Sequence, residues 1–281
     1  MAARPVFRPK PNALQAIFGR PKVVIGVIHS LPLPGSPAYD GQPMQDIVRF
    51  AVDEAARYRA GGVDGVIVEN HGDIPFARPE QLGPETAACM AVMTDAVRRT
   101  SGLPVGVNVL ANGAVQALAV AKAAGAAFVR VNQWANAYVA NEGLLDGPAG
   151  AAARYRAWLH GRAIRVFADV HVKHGAHAIT ADRTVPELAR DVEFFDADVA
   201  IATGQRTGDA ATPEEIRAIA EGCSLPVVIG SGATPATIGD IFALADGVIV
   251  ASWLKRDGVW WNEVDPDRLR AFMAEADRAR A

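Results

Sequence analysis

Hydrophobic and polar positions follow one phrase that recurs along the chain. A short apolar run rich in valine and isoleucine is followed by a polar loop, then by an alanine-rich segment with apolar residues three or four apart that stops at glycine. The apolar runs predict β-strands at Val23–His29, Gly65–Glu69, Val105–Leu110, Ala127–Asn132, Val166–Lys173, Val199–Thr203, Val227–Gly230 and Gly247–Ser252. Near-continuous apolar character marks parallel strands that are covered on both faces. Between them, Ile47, Ala51, Ala55 and Tyr58 form a helical stripe stopped by Gly61-Gly62. Pro84 opens a helix that Gly102 follows, Ala114–Ala124 stops at Gly125, and Ala151–His160 stops at Gly161. Thr184-x-x-Glu187 and Thr212-Pro213-x-Glu215 are capping-box patterns, and Thr234-Pro235 and Asp265-Pro266 predict the starts of the last two helices.

Strand followed by helix, repeated through the chain, predicts α/β architecture: a single (β/α)8 TIM barrel over residues 22–281, preceded by an irregular arm at 1–21. A doubly wound open sheet is the alternative. The segments after strands one, two, four and five are long (Ser30–Pro43, Asn70–Gly83, Gln133–Gly150, Gly175–Arg183). The returns Ala60–Asp64, Ser101–Pro104 and Ala124–Ala126 are short. In a barrel the long segments gather at the carboxyl end of the strands, where such enzymes keep their sites.

Composition narrows the function classes. The 281 residues are 50% hydrophobic and 21% charged with a net charge of −3, an ordinary globular balance that argues against a nucleic-acid binder. The longest apolar runs are strand-sized, so no transmembrane segment is expected, and no signal-peptide core is seen near the start. Cys89 and Cys223 have no metal-ligand spacing and read as reduced structural thiols, which points to a cytoplasmic protein.

The candidate chemistry lies at the strand ends: His29, then Glu69-Asn70, Asn108, Arg130 with Asn132, Asp169 with His171 and Lys173, Thr203-Gly204, Gly230-Ser231-Gly232, and Ser252. Together they predict a polar pocket at the carboxyl mouth. On a strand of period two, Asp169, His171 and Lys173 share one face and Ala168, Val170 and Val172 the other. A buried row of this kind is costly unless its members pair with each other, a metal or a ligand. Three readings stay open. One is an acid–base set, with Asp169 and His171 moving a proton, Glu69 or His29 as partner, and Lys173 and Arg130 stabilising an oxyanion. The second is a divalent metal held by Asp169, His171, His29 and Glu69. The third is a structural ion-pair network. A Schiff base at Lys173 is a further variant of the first.

Asn70, Asn108, Arg130, Asn132, Thr203 and Gly204 are read as substrate-binding. Gly230, Ser231, Gly232 and Ser252 are read as a phosphate site, because a glycine-rich turn after strand seven followed by a helix start often binds phosphate in barrels. The stretch from Asn132 to Tyr138, with Trp134, is a lid or a plug. His71 and Asp73 touch ligand or cap their turn, and His174 and His177 lie exposed on a loop. Trp253, Trp260 and Trp261 serve packing or a subunit contact, in line with a homo-oligomer.

These residues carry a resemblance. The chain is similar to the BtpA/SgcQ family from about Val23 to Phe272. The similarity rests on Val27-Ile28-His29-Ser30-Leu31-Pro32-Leu33-Pro34-Gly35-Ser36-Pro37, Val68-Glu69-Asn70-His71-Gly72-Asp73, Gly106-Val107-Asn108-Val109-Leu110 with Asn112, and Arg130-Val131-Asn132. Further carriers are Phe167-Ala168-Asp169-Val170-His171-Val172-Lys173-His174, Thr203-Gly204 with Thr207-Gly208, Gly230-Ser231-Gly232, and Ser252-Trp253-Leu254-Lys255. The resemblance implies a ribulose-phosphate-binding type of barrel. The family takes its name from a cyanobacterial membrane-associated factor of photosystem I biogenesis; other members lie in bacterial sugar-utilisation settings, and some relatives carry the label phosphoribosylanthranilate isomerase.

Two functional expectations follow. The first is an enzyme acting on a phosphorylated sugar or nucleoside-like small molecule as an isomerase, epimerase, lyase or glycosidic-cleavage catalyst, with no cofactor required and a divalent metal as the alternative. The second is a non-enzymatic factor in the biogenesis of photosystem I or another membrane complex, associated peripherally with a membrane. A ligand-binding protein without turnover would keep the phosphate loops and not need the acid–base set.

Overall fold

The computed structural model describes residues 10–204 and 210–280; Thr207, Gly208 and the first nine residues of the arm lie outside them. Among the described residues ten strands are formed: β1 (Val23–His29), β2 (Gly65–Glu69), β3 (Val105–Asn108), β4 (Phe128–Val131), β5 (Ala137–Ala140), β6 (Gly143–Asp146), β7 (Arg165–Asp169), β8 (Val199–Ala202), β9 (Val227–Ile229) and β10 (Gly247–Val250). The helices are α1 (Ala13–Phe18), α2 (Met44–Gly61), α3 (Pro84–Ser101), α4 (Ala114–Ala124), α5 (Ala149–Trp158), α6 (Val185–Phe194), α7 (Pro213–Gly222), α8 (Ile238–Leu244) and α9 (Pro266–Arg280). Strands β1–β4 and β7–β10 close into a parallel barrel, with β10 pairing back onto β1. The expected (β/α)8 architecture is therefore the observed one.

Two apolar layers hold it. Residues facing outward from the strands, such as Val24, Val66, Val107 and Val129, pack under the helices. Residues facing inward, among them Val27, Ile67, Phe128, Phe167, Ile201 and Ile249, fill the barrel axis. Phe128 and Phe167 stack there at 4.3 Å. Gly106 makes room for them, since a Cβ at that position would lie 2.2 Å from the Phe128 ring.

Residues 10–21 are not the irregular arm that the sequence predicts. Asn12 caps α1, accepting a hydrogen bond from the backbone N–H of Gln15, and Ala13 and Leu14 join the inner layer. Phe18 meets Phe128 edge-on at 5.9 Å. The helix stops the amino mouth of the barrel, so that the inner layer does not end in water. Six residues are too few to form a helix unaided; burial against the barrel stabilises it.

The strands end earlier than their apolar pattern suggests: β3 at Asn108, β4 at Val131, β7 at Asp169, β8 at Ala202, β9 at Ile229 and β10 at Val250. Beyond those points the chain turns into loops. Thr184 and Glu187 form the full capping box, whereas Thr212 accepts from the Glu215 N–H without the reciprocal bond. Thr234-Pro235 does not open a helix. Thr234 bonds to the Thr237 hydroxyl through its N–H and hydroxyl, and α8 begins only at Ile238. Over the carboxyl mouth, β5 and β6 form an antiparallel hairpin, and a Val139–Ala176 bridge ties it to the loop after β7.

Candidate active site

Strand register builds the site. Val27 and Ile67 belong to the inner apolar layer; two residues further on, His29 and Glu69 point the same way and are paired across β1 and β2. Glu69 is in turn paired with Asn108 across β2 and β3. Three polar side chains thus stand side by side one layer above the apolar filling. They form part of the wall of a cavity of about 650 Å³ at the carboxyl mouth, which Arg130, Lys173 and Ser231 also line.

Glu69 is the centre of this cluster and is buried. Its Oε2 accepts from Asn108 Nδ2 at 2.7 Å, and its Oε1 accepts from His71 Nδ1 at 3.1 Å. His29 Nε2 lies 3.7 Å from the same Oε1. The Nδ1 of His29 donates to the Trp260 carbonyl at 3.0 Å, so its proton is on Nδ1 and its lone pair on Nε2. The two imidazoles stack at 4.6 Å, and the Trp260 ring stands edge-on to both, at 5.6 and 4.4 Å. Burial pushes the His29 pKa down to about 3, against the opposing effect of Glu69, so the ring is neutral near neutrality. Burial alone would raise the Glu69 pKa, but the His71 hydrogen bond and the electrostatic attraction of the neighbouring imidazoles and of Arg130 hold it well below the usual carboxylate range. One ligand atom from each of His29, Glu69 and His71 lies within 4.8 Å of the others.

Arg130 enters the cavity from β4, two residues beyond the inward Phe128. Its Nε and Nη2 donate to the two oxygens of Asp169 at 3.1 and 3.0 Å. Both residues are buried, and Asp169 does not itself line the cavity.

The structure separates the row that the sequence placed on one strand face. Asp169 ends β7 and is committed to Arg130. His171 lies past the strand end, stacked at 3.8 Å on His177, and is not part of the cavity wall. Burial and the neighbouring His177 lower its pKa. Lys173 does line the cavity, as does His174. Asp169 and His171 therefore do not stand with His29 and Glu69, as the metal and acid–base readings expected; the side chain beside those two is His71.

Among the residues read as substrate-binding, Asn108, Arg130 and Asn132 reach the cavity. Asn70 does not. Its Oδ1 accepts from the Leu110 N–H at 2.7 Å and its Nδ2 donates to Asp73 at 2.9 Å, so it clamps neighbouring loops together. Asp73 completes the clamp by accepting from the Leu33 N–H at 2.8 Å. Thr203 is fully buried, and its hydroxyl donates to the His171 carbonyl at 2.9 Å; Gly204 turns beside it with a φ of 67°. Neither lines the cavity. Gly230, Ser231, Gly232 and Ser252 all do; they follow β9 and β10, and β10 is the barrel neighbour of β1, which carries His29.

The aromatic stretch divides. Trp134 is fully buried, and its Nε1 donates to the Phe195 carbonyl at 2.8 Å, so it anchors the hairpin. Tyr138 lines the cavity. Trp260, which the sequence reading assigned to packing or a subunit contact, stands against the cluster: its carbonyl accepts from His29, and its ring lies edge-on to His29 and His71. Trp253 also lines the cavity, while Trp261 is 64% exposed.

Fold and site define a TIM barrel with a carboxylate–imidazole cluster and a deep cavity at its carboxyl mouth. Within that class the chain belongs to the BtpA family, whose model matches residues 20–278. A protein of Archaeoglobus fulgidus is 40% identical over 91% of this chain and 98% of its own length. The protein of Synechocystis named photosystem I biogenesis protein BtpA is 39% identical over 89% of this chain and 86% of its own. Among solved structures, tryptophan synthase of Mycobacterium tuberculosis superposes with a TM-score of 0.60 at 18% identity, covering 97% of this chain and 100% of that one. Thiamine phosphate pyrophosphorylase of Pyrococcus furiosus superposes at 0.56 and 15%, covering 92% and 97%. These likenesses extend to the fold. No helix among the described residues is long and apolar enough to cross a membrane.

Proposed function

We propose that the protein is an enzyme acting on a small phosphorylated substrate, sugar- or nucleoside-like, by proton transfer in the carboxyl-mouth cavity. The reaction class is isomerase, epimerase, lyase or glycosidic cleavage. The observation that carries this reading is the Glu69 carboxylate bonded to His71 Nδ1 in the wall of a cavity sized for a small molecule. A carboxylate that holds Nδ1–H leaves Nε2 of the same ring as the basic nitrogen, the arrangement of an oriented general base. Arg130, held by Asp169, and Lys173 supply positive charge for a developing oxyanion. Asn108 and Asn132 are placed to orient hydroxyls, and the turn Gly230-Ser231-Gly232 with Ser252 forms the end of the cavity suited to a phosphate.

Support for a phosphorylated substrate comes from that turn and from the names of fold neighbours such as thiamine phosphate pyrophosphorylase. The name of the Synechocystis relative supports an assembly role instead. A scaffold has no use for a buried carboxylate–imidazole cluster, and this disfavours it. A thermal-shift screen of sugar phosphates against their unphosphorylated parents tests the reading, since a ligand at 100 times its Kd stabilises by about 2.7 kcal/mol. With the compound so found, His71→Ala should lower turnover by roughly 10²–10⁴-fold. Stabilisation by no phosphorylated compound, or turnover unchanged in His71→Ala, would overturn the proposal.

A further inference from the structure

We infer that His29, Glu69 and His71 form a site for one divalent transition-metal ion, of the zinc, iron or manganese kind. The first argument is convergence. Two strand ends and the turn after β2 bring two imidazole nitrogens and a carboxylate oxygen within 4.8 Å of one another, on the wall of the cavity.

The second argument is lone pairs. The Trp260 carbonyl fixes the proton of His29 on Nδ1. Its Nε2 therefore presents a lone pair to Glu69 Oε1 at 3.7 Å. Two buried acceptors face each other with no proton between them, an arrangement that a cation relieves. A ligating imidazole characteristically gives its other N–H to a backbone carbonyl or carboxylate, which is what His29 does.

The third argument is the surroundings of the ligands. Asn108 Nδ2 holds the second oxygen of Glu69 at 2.7 Å and so orients the carboxylate. The Oδ1 of Asn108 is buried without a hydrogen-bond partner, and Asn108 lines the cavity. A water held by the ion would donate the missing hydrogen bond to it. Two buried cations nearby have carboxylate partners of their own, Arg130 with Asp169 and Lys255 with Glu54. Glu69 is in neither of these pairs and can serve an added ion.

The donor set selects the metal. Two nitrogens and one oxygen suit zinc, which in catalytic sites takes three protein ligands and a water. The same two-histidine, one-carboxylate set with open positions suits iron(II) and its neighbours. Magnesium and calcium, which prefer all-oxygen shells, are disfavoured. Three protein ligands leave at least one position for water or substrate, where the ion polarises an oxygen or lowers the pKa of its water. The inference rests on the enzymatic reading only for that use. With an ion bound, His71 would be a ligand, and hydroxide left when the ion's water loses a proton to solvent would be the group able to take a proton from substrate.

Binding is tested without substrate. The full chain is stripped with EDTA and titrated separately with ZnCl2 and MnCl2, with CoCl2 as a probe whose visible absorption reports coordination. Bound metal is measured by calorimetry and elemental analysis. The expected result is one ion per chain, bound more tightly than about 10 μM, with a raised melting temperature. His71→Ala and Glu69→Gln should weaken it more than about tenfold, Asn108→Ala by about 10–100-fold, and His177→Ala not at all. His71 is partly exposed, so its variant folds even where a change at buried Glu69 does not. Absence of stoichiometric binding, equal affinity in His71→Ala, or loss of the ion in His177→Ala instead would each overturn the site. Such a failure leaves the general-base reading standing, whereas a metal bound by a protein that turns over nothing would overturn the enzymatic reading alone.

Discussion

Asp169→Asn separates a positioning residue from a proton carrier. The Arg130 guanidinium donates to both Asp169 oxygens, at 3.1 and 3.0 Å, and the two residues are 6% and 2% exposed. Asparagine keeps the shape but offers one acceptor, and its NH2 group meets a donor. Removing one partner of a buried pair costs about 3–5 kcal/mol, because the other charge is left buried and unmatched. For a domain of this size about 2–4 °C is lost per kcal/mol, so the melting temperature should fall by roughly 6–20 °C. Arg130→Met combined with Asp169→Leu removes both charges and should recover most of that loss. Differential scanning calorimetry of the three proteins decides it. If Asp169→Asn melts with the wild type while turnover disappears, Asp169 is a proton-transfer residue and the positioning argument is wrong. A double variant as unstable as the single one would show that the loss does not come from an unmatched charge.

Leu14 of α1 is 1% exposed in the inner layer, so Leu14→Ala should cost about 2–5 kcal/mol in chemical denaturation; a loss below about 1 kcal/mol would mean that α1 does not seal the barrel. Burial pushes the Cys223 thiol up to about 11, so its thiolate is scarce at neutral pH. Its alkylation by iodoacetamide should rise about tenfold per pH unit from 7 towards that value, and labelling at pH 7 at the rate of a free cysteine would contradict its burial.

The barrel was legible because a parallel strand covered on both faces is written as an unbroken apolar run, and glycine marks the helix ends. The length of β7 was not legible, for a physical reason. Val170 and Val172 continue the alternation of the strand and are as buried as it requires, at 5% and 4%. Val172 is buried elsewhere, in a small cluster with Ala111, Tyr138 and Leu145 under the hairpin. Burial in a roof and burial in a sheet leave the same pattern, so His171 was carried onto a face that it does not share with Asp169. The candidate site was half legible. His29, Glu69 and Asn108 could be read because each ends a strand. The role of His71 depends on a tight turn, His71–Asp73, that folds the ring back over Glu69, and Trp260 arrives from near the far end of the chain.

The position of an aspartate relative to its strand separates structure from chemistry. Asp64, Asp198 and Asp246 each stand immediately before a barrel strand, at the amino mouth. Each accepts a hydrogen bond from the backbone N–H of a neighbouring strand: Val24 on β1 at 2.7 Å, Val166 on β7 at 2.9 Å and Val227 on β9 at 2.9 Å. Two of them open the same run, Asp64-Gly65-Val66-Ile67-Val68 and Asp246-Gly247-Val248-Ile249-Val250. A carboxylate before a strand thus pins the register of its neighbour and is neutralised there, as Asp64 is by Arg20 and Arg280, and Asp198 by Arg156 and Arg165. Glu69 and Asp169 close their strands instead and stand in or behind the cavity wall. At the amino mouth these acids hold the register of neighbouring strands, a contribution to stability. The carboxyl mouth is open to ligands, and an acid there can take part in their chemistry.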